Sequence, residues 1–122
     1  MRKLAVFLLA LSLTAAQTKV VVYTRNFVTT GKGYVHENIA TSVETIRELG
    51  KQNGFEVDSS DDPKLFTPDN LKQYKVIVFS NSNNEAFEND AQRDAFRKFI
   101  QAGGGLVGIH SAAGSERAWP YF

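Results

Sequence analysis

Four short apolar runs, separated by stretches of helical period, constrain this chain more than any other feature. Lys19-Val20-Val21-Val22-Tyr23-Thr24 is a β-branched run with polar flanks, the pattern of a buried strand. Arg25 to Val35 holds two glycines with Thr and Asn residues, a loop composition. From Glu37 the period changes. Ile39, Val43, Ile46 and Leu49 recur at three- and four-residue steps, which predicts an amphipathic helix fading near Gly50 and ending by Gly54. Phe55-Glu56-Val57-Asp58 reads as a second, shorter strand.

Asp61-Asp62-Pro63 is a turn, and Thr67-Pro68 supplies an N-cap and a first-position proline for a short helical turn through Leu71. Val76-Ile77-Val78-Phe79-Ser80 is a third buried strand, followed by the polar loop Asn81 to Asn84. Asn89 and Gln92 have capping-box spacing, opening a helix that buries Ala95, Phe96, Phe99 and Ile100. Gly103 to Gly105 stop that helix, and Leu106 to Ile109 form the fourth strand. Strands alternating with helices require a parallel sheet with right-handed crossovers. The expected class is α/β with a flavodoxin-like sheet. The chain stops at Trp119-Pro120-Tyr121-Phe122, just after the fourth strand, so truncation of a longer protein is expected.

Composition narrows the functions. At 43% hydrophobic, 22% charged and net charge +1, the chain of 122 residues reads as one globular domain. Nothing in that charge calls for nucleic acid or an anionic membrane as partner. Without cysteine there is no disulfide, thiolate nucleophile or Cys-type zinc site. Arg2 and Lys3, the apolar run Leu4 to Leu13 and the small residues Thr14-Ala15-Ala16 predict a cleavable signal peptide over residues 1–16. Residues 17–122 then form the domain, periplasmic or secreted; an uncleaved anchor or a first core strand is the alternative reading of that segment.

Three strand ends converge on the carboxyl edge of such a sheet, where ligands of open α/β folds bind. In Gly103-Gly104-Gly105-Leu106-Val107-Gly108-Ile109-His110-Ser111-Ala112, a strand delivers an imidazole into a turn of small residues, as at a nucleophile elbow. His110 there suits a general acid/base or a metal ligand, and the amides after it suit an oxyanion; a loop-tying histidine is the plain alternative. His36-Glu37 sits where the first loop meets its helix, and Glu37 in a first helical turn would also complement the helix dipole. His36, His110 and Glu37 together match a His₂Glu metal set, but no ligand spacing demands one, and the expectation is no metal and no cofactor. Arg25, Asn81 and Ser111 could hydrogen-bond a sugar. Trp119 could stack on its apolar face, although Asn and Ser also suit turns and aromatics suit a core. No third group orients Ser111 and His110 as a serine triad.

These residues resemble a known family. Val20 to Arg25, Tyr34-Val35-His36-Glu37-Asn38-Ile39, Gly54 to Asp58, Phe66-Thr67, Leu71, Tyr74, Val76 to Phe79, Gly103 to Ala113 and Trp119-Pro120 are similar to ThuA-like (trehalose utilisation) domains. The resemblance implies a fold like that of class I glutamine amidotransferases, with histidine where those enzymes carry the elbow cysteine. Glutamine hydrolysis through a thiolate is therefore not expected. It also implies metabolism of trehalose or related keto-disaccharides, in proteins that often carry further domains. Many members have an acidic residue shortly after the elbow histidine, where this chain reads Gly114-Ser115-Glu116, so either Glu116 replaces that acid or the activity differs. Family domains also extend beyond this length. The expected function is carbohydrate chemistry by a hydrolase or isomerase, with His110, Glu37 and His36 catalytic and Asn81, Ser111, Arg25 and Trp119 binding substrate. The rival is a non-catalytic sugar-binding or partner-docking module.

Overall fold

The computed structural model describes residues 17–26 and 33–122; the expected signal peptide lies outside them. The four apolar runs become β1 (Thr18–Tyr23), β2 (Phe55–Ser60), β3 (Val76–Ser80) and β4 (Gly105–Ile109). Between them lie α1 (Ile39–Asn53), α2 (Pro68–Leu71) and α3 (Asp90–Gln101). All neighbouring strands pair in parallel, in the order β2-β1-β3-β4. That is the flavodoxin-like order, which reverses direction between β1 and β3.

Alternation along the strands divides the core. Val21, Tyr23, Ile77 and Phe79 face one side and pack with Phe66, Leu71, Phe87 and Phe96. Val20, Val22 and Val78 face the other, under Val43 and Ile46 of α1. The aromatic side is dense, with Phe66 edge-on to both Tyr23 and Phe87 at centroid distances of 4.8 and 4.7 Å. Beneath it the Tyr23 hydroxyl donates to the Ala86 carbonyl at 2.5 Å. Burial holds that phenol well above its ordinary pKa of 10.0, so it stays a donor.

The helix ends follow their sequence signals with small shifts. Thr67 and Asn89 cap α2 and α3, accepting from the amides of Asn70 and Gln92. The Gln92 side chain reaches back to the amide of Glu88, one residue before the expected partner. Gly54 closes α1 in the left-handed conformation at φ 75°, its amide bonded to the Gly50 carbonyl. A Cβ on Gly104 would stand 2.2 Å from the Phe99 ring, so a larger residue here would push that ring aside.

Two expectations change. α1 begins at Ile39, with Glu37 ahead of the Asn38 cap and no acidic residue in the first turn; Glu37 is therefore not a first-turn dipole partner. Leu49, expected on the buried face, is 46% exposed. Gly50 takes the inward place beside it, where a Cβ would meet the Phe55 carbonyl at 2.6 Å.

Candidate functional site

The reversal between β1 and β3 opens a crevice at their carboxyl ends, and β4 ends beside it. Beyond the strands the chain continues in isolated parallel bridges, Asn26 with Asn83 and Asn84 with Ser115. The Asn26 side-chain amide donates to the Asn81 carbonyl at 2.9 Å. The Asn81 amide donates in turn to the Ile109 carbonyl at 3.2 Å. Three strand ends are thus laced into one rim.

On this rim His110 stands in the left-handed region at φ 54°. Outside glycine, Asn and Asp, that conformation is costly, and a structure keeps it where the surroundings over-determine it. The small residues after His110 form a 3₁₀ turn to Gly114, and Ala112 folds back over Gly108, 3.5 Å from where a Cβ would stand. His110 is exposed. Its ring meets that of His36 edge-on, with centroids 4.5 Å apart and planes at 85°. Tyr34 abuts the other side of His36, at 5.1 Å and 72°. The structure therefore brings together two imidazoles that the sequence holds far apart, one in the connection after β1 and one at the end of β4.

Two hollows adjoin the rim. One of about 340 Å³ lies at the end of β1, lined by Thr24, Arg25, Asn26, Val35, Ile39 and Asp61. The other, of about 180 Å³, is apolar and includes His110, Gly108, Phe79 and Phe122. Larger hollows of about 360 and 460 Å³ sit at the entering ends of the strands, beside Tyr74 and Gly104 and beside Phe55. Position at the switch point outweighs size in choosing among them.

The remaining candidates divide. Glu37 is exposed next to His36 in the chain. Arg25 reaches the 85–88 segment, with its Nε on the Glu85 carbonyl at 3.0 Å and its guanidinium 3.5 Å from the Glu88 carboxylate. Asn81 is wholly buried at φ 53°. The Ser111 hydroxyl is buried too. Asn26 Oδ1, Asn81 Oδ1 and Ser111 Oγ are the buried side-chain polar atoms without a partner among the described residues, and all three lie at strand ends on this rim. Trp119 packs on Phe87 and Phe96 at 5.9 and 6.3 Å, as part of the aromatic core.

Glu116, the residue offered for the acid after the elbow, is engaged by the 87–93 segment. It is 5% exposed, and its carboxylate accepts from the Phe87 amide at 2.9 Å and from Arg93 Nε at 2.7 Å. A buried carboxylate needs such partners, and they commit it to holding the 87–93 segment. Tyr34 and Asn26 were missed as site residues. Alternation along the extended segment before α1 puts Tyr34 on the same side as His36, a signal visible in the sequence. Asn26 had no such signal.

Fold and site together define a flavodoxin-like α/β domain whose strand-end elbow carries an imidazole. The family model for ThuA, trehalose utilisation, matches residues 19–122. The crystal structure of a ThuA-like protein from Bacteroides uniformis superposes with a TM-score of 0.65 at 29% identity, covering 88% of this chain and 42% of that one. The present chain thus spans less than half of that relative's length. No match was found among curated proteins. The chain belongs to the ThuA family, which is associated with trehalose utilisation.

Proposed function

We propose that this ThuA domain is exported and acts on trehalose or a related keto-disaccharide by acid/base chemistry at His110. Residues 1–16 would be the cleaved leader and residues 17–122 the domain. The observation that carries the reading is the pair of imidazoles meeting at the switch-point rim, one of them held in a left-handed backbone. In this reading an imidazole nitrogen of His110 takes a proton from the carbon next to the keto group, or from an attacking water. His36 orients the substrate, and the Glu37 carboxylate serves as a second acid/base group beside His110.

The test is turnover of keto-disaccharides by the wild type, by His110→Ala and by His110→Asn, the last of which tolerates the left-handed backbone. Loss of about 100-fold or more in both variants is expected. Unchanged turnover overturns the reading, and calorimetric sugar binding without product points to a binding module. Sequencing the amino terminus of the exported protein tests the leader.

A further inference from the structure

We propose that His36 and His110 also form a binding site for a divalent transition ion of the Zn²⁺, Ni²⁺ or Cu²⁺ type, and that its occupancy silences acid/base chemistry. The chain contains two histidines and no cysteine, and both imidazoles stand at one point of the rim with centroids 4.5 Å apart. A metal–imidazole bond of about 2.1 Å puts a ring centre about 3.2 Å from the ion, so rings held cis at about 90–110° stand about 4.5–5.2 Å apart. The observed spacing falls at the lower end of that interval. Rotation of the edge-on rings about their side-chain bonds would turn a nitrogen of each toward one ion.

The backbone carrying His110 is set by its strand end and the turn after it, and Tyr34 stands edge-on against His36. Such preorganisation lowers the ordering cost of binding. Imidazole donors without carboxylates select zinc, nickel and copper over magnesium and calcium. No third His, Asp or Glu completes a cage among the described residues. An ion here therefore keeps positions for water or ligand oxygens, and its affinity is modest compared with that of a structural zinc site.

The consequence for turnover rests on the function proposed above, whereas the binding itself does not. A ligated imidazole nitrogen has its lone pair in the metal bond and cannot take a proton. The ion-loaded and acid/base-competent forms therefore exclude each other.

The experiment titrates the untagged full chain with Cu²⁺, followed by electron paramagnetic resonance, and measures Zn²⁺ competition by calorimetry. The expected result is one ion per chain with a nitrogen hyperfine pattern from two imidazoles. His36→Gln and His110→Asn should each weaken binding by about tenfold or more, with unchanged circular dichroism. Equal affinity in the wild type and both variants, or a spectrum without imidazole nitrogen, overturns the site. Zn²⁺ should lower keto-disaccharide turnover in step with occupancy, and a chelator should restore it. Occupancy without inhibition overturns the silencing. Turnover indifferent to His110→Asn defeats the function reading while leaving the ion site standing.

Discussion

β3 and β4 lie side by side, run in the same direction and end on the same backbone device, yet they serve the domain differently. The residue after each strand, Asn81 or His110, is left-handed, with φ of 53° and 54°. β3 is central, and Ile77, Val78, Phe79 and Asn81 are buried. Among the described residues β4 is at the edge of the sheet, with Leu106 and Val107 exposed at 47% and 45% and His110 exposed as well. In the centre, the backbone of the turning residue is engaged in lacing neighbouring loops together. At the edge the same turn presents an imidazole to the crevice. Position in the sheet separates a structural elbow from a candidate chemical one.

The largest contrast is expected between the strands themselves. Phe79 packs on the rings of Tyr23, Phe87 and Phe96, so Phe79→Ala should cost about 3–5 kcal/mol. Leu106→Ala on β4 should cost under about 1 kcal/mol, since half of the side chain is already in water. Urea unfolding measures both, and equal losses would erase the distinction.

Next comes Glu116→Ala, which leaves Arg93 and the Phe87 amide without their buried partner and should cost about 3 kcal/mol. Keto-disaccharide turnover measured below the unfolding temperature should survive, since the carboxylate does not face the histidines. Turnover lost in a folded Glu116 variant would return that residue to the site.

A smaller effect is expected at the two elbows. Asn81→Ala places a residue with no αL preference in a buried turn and should cost about 1–2 kcal/mol. His110→Asn should change stability by less than about 0.5 kcal/mol, because asparagine accepts that backbone and the site is exposed. Thermal melts compare them. A large loss from His110→Asn would make that histidine structural.

The smallest concerns the start of β1. Hydrogen bonds from Lys19, first, and from Tyr74 hold the Asp58 carboxyl below its ordinary value of 3.8. A depressed folded value stabilises the protein above the ordinary value, and the gain is lost as pH falls through the folded one. Asp58→Asn should therefore lower the melting temperature slightly at neutral pH and not at all in strong acid. A mutant deficit that persists in strong acid would show that the ion pair is not its source.

Much of the fold was legible because its signals are local. The β-branched runs at 20–22 and 76–79, the Thr67 and Asn89 caps and Gly54 each act within a few residues, and each took its expected place. The exposure of Leu49 was not legible, because a close approach of α1 to β2 gave Gly50 the inward position. The site was half legible. His110 announced itself by standing between an apolar run and small residues. The commitments of Arg25 to the 85–88 loop and of Glu116 to Arg93 depend on partners far along the chain, which no periodicity encodes.

The sequence alone determined the parallel α/β class and placed a histidine at the strand-end elbow. Those conclusions follow from period, composition and local turn chemistry. Only the tertiary structure decided that His36 and His110 touch, that Glu116 is a buried strut and that β4 is an exposed edge. These are facts of long-range packing, decided by which crossovers meet once the sheet order reverses between β1 and β3.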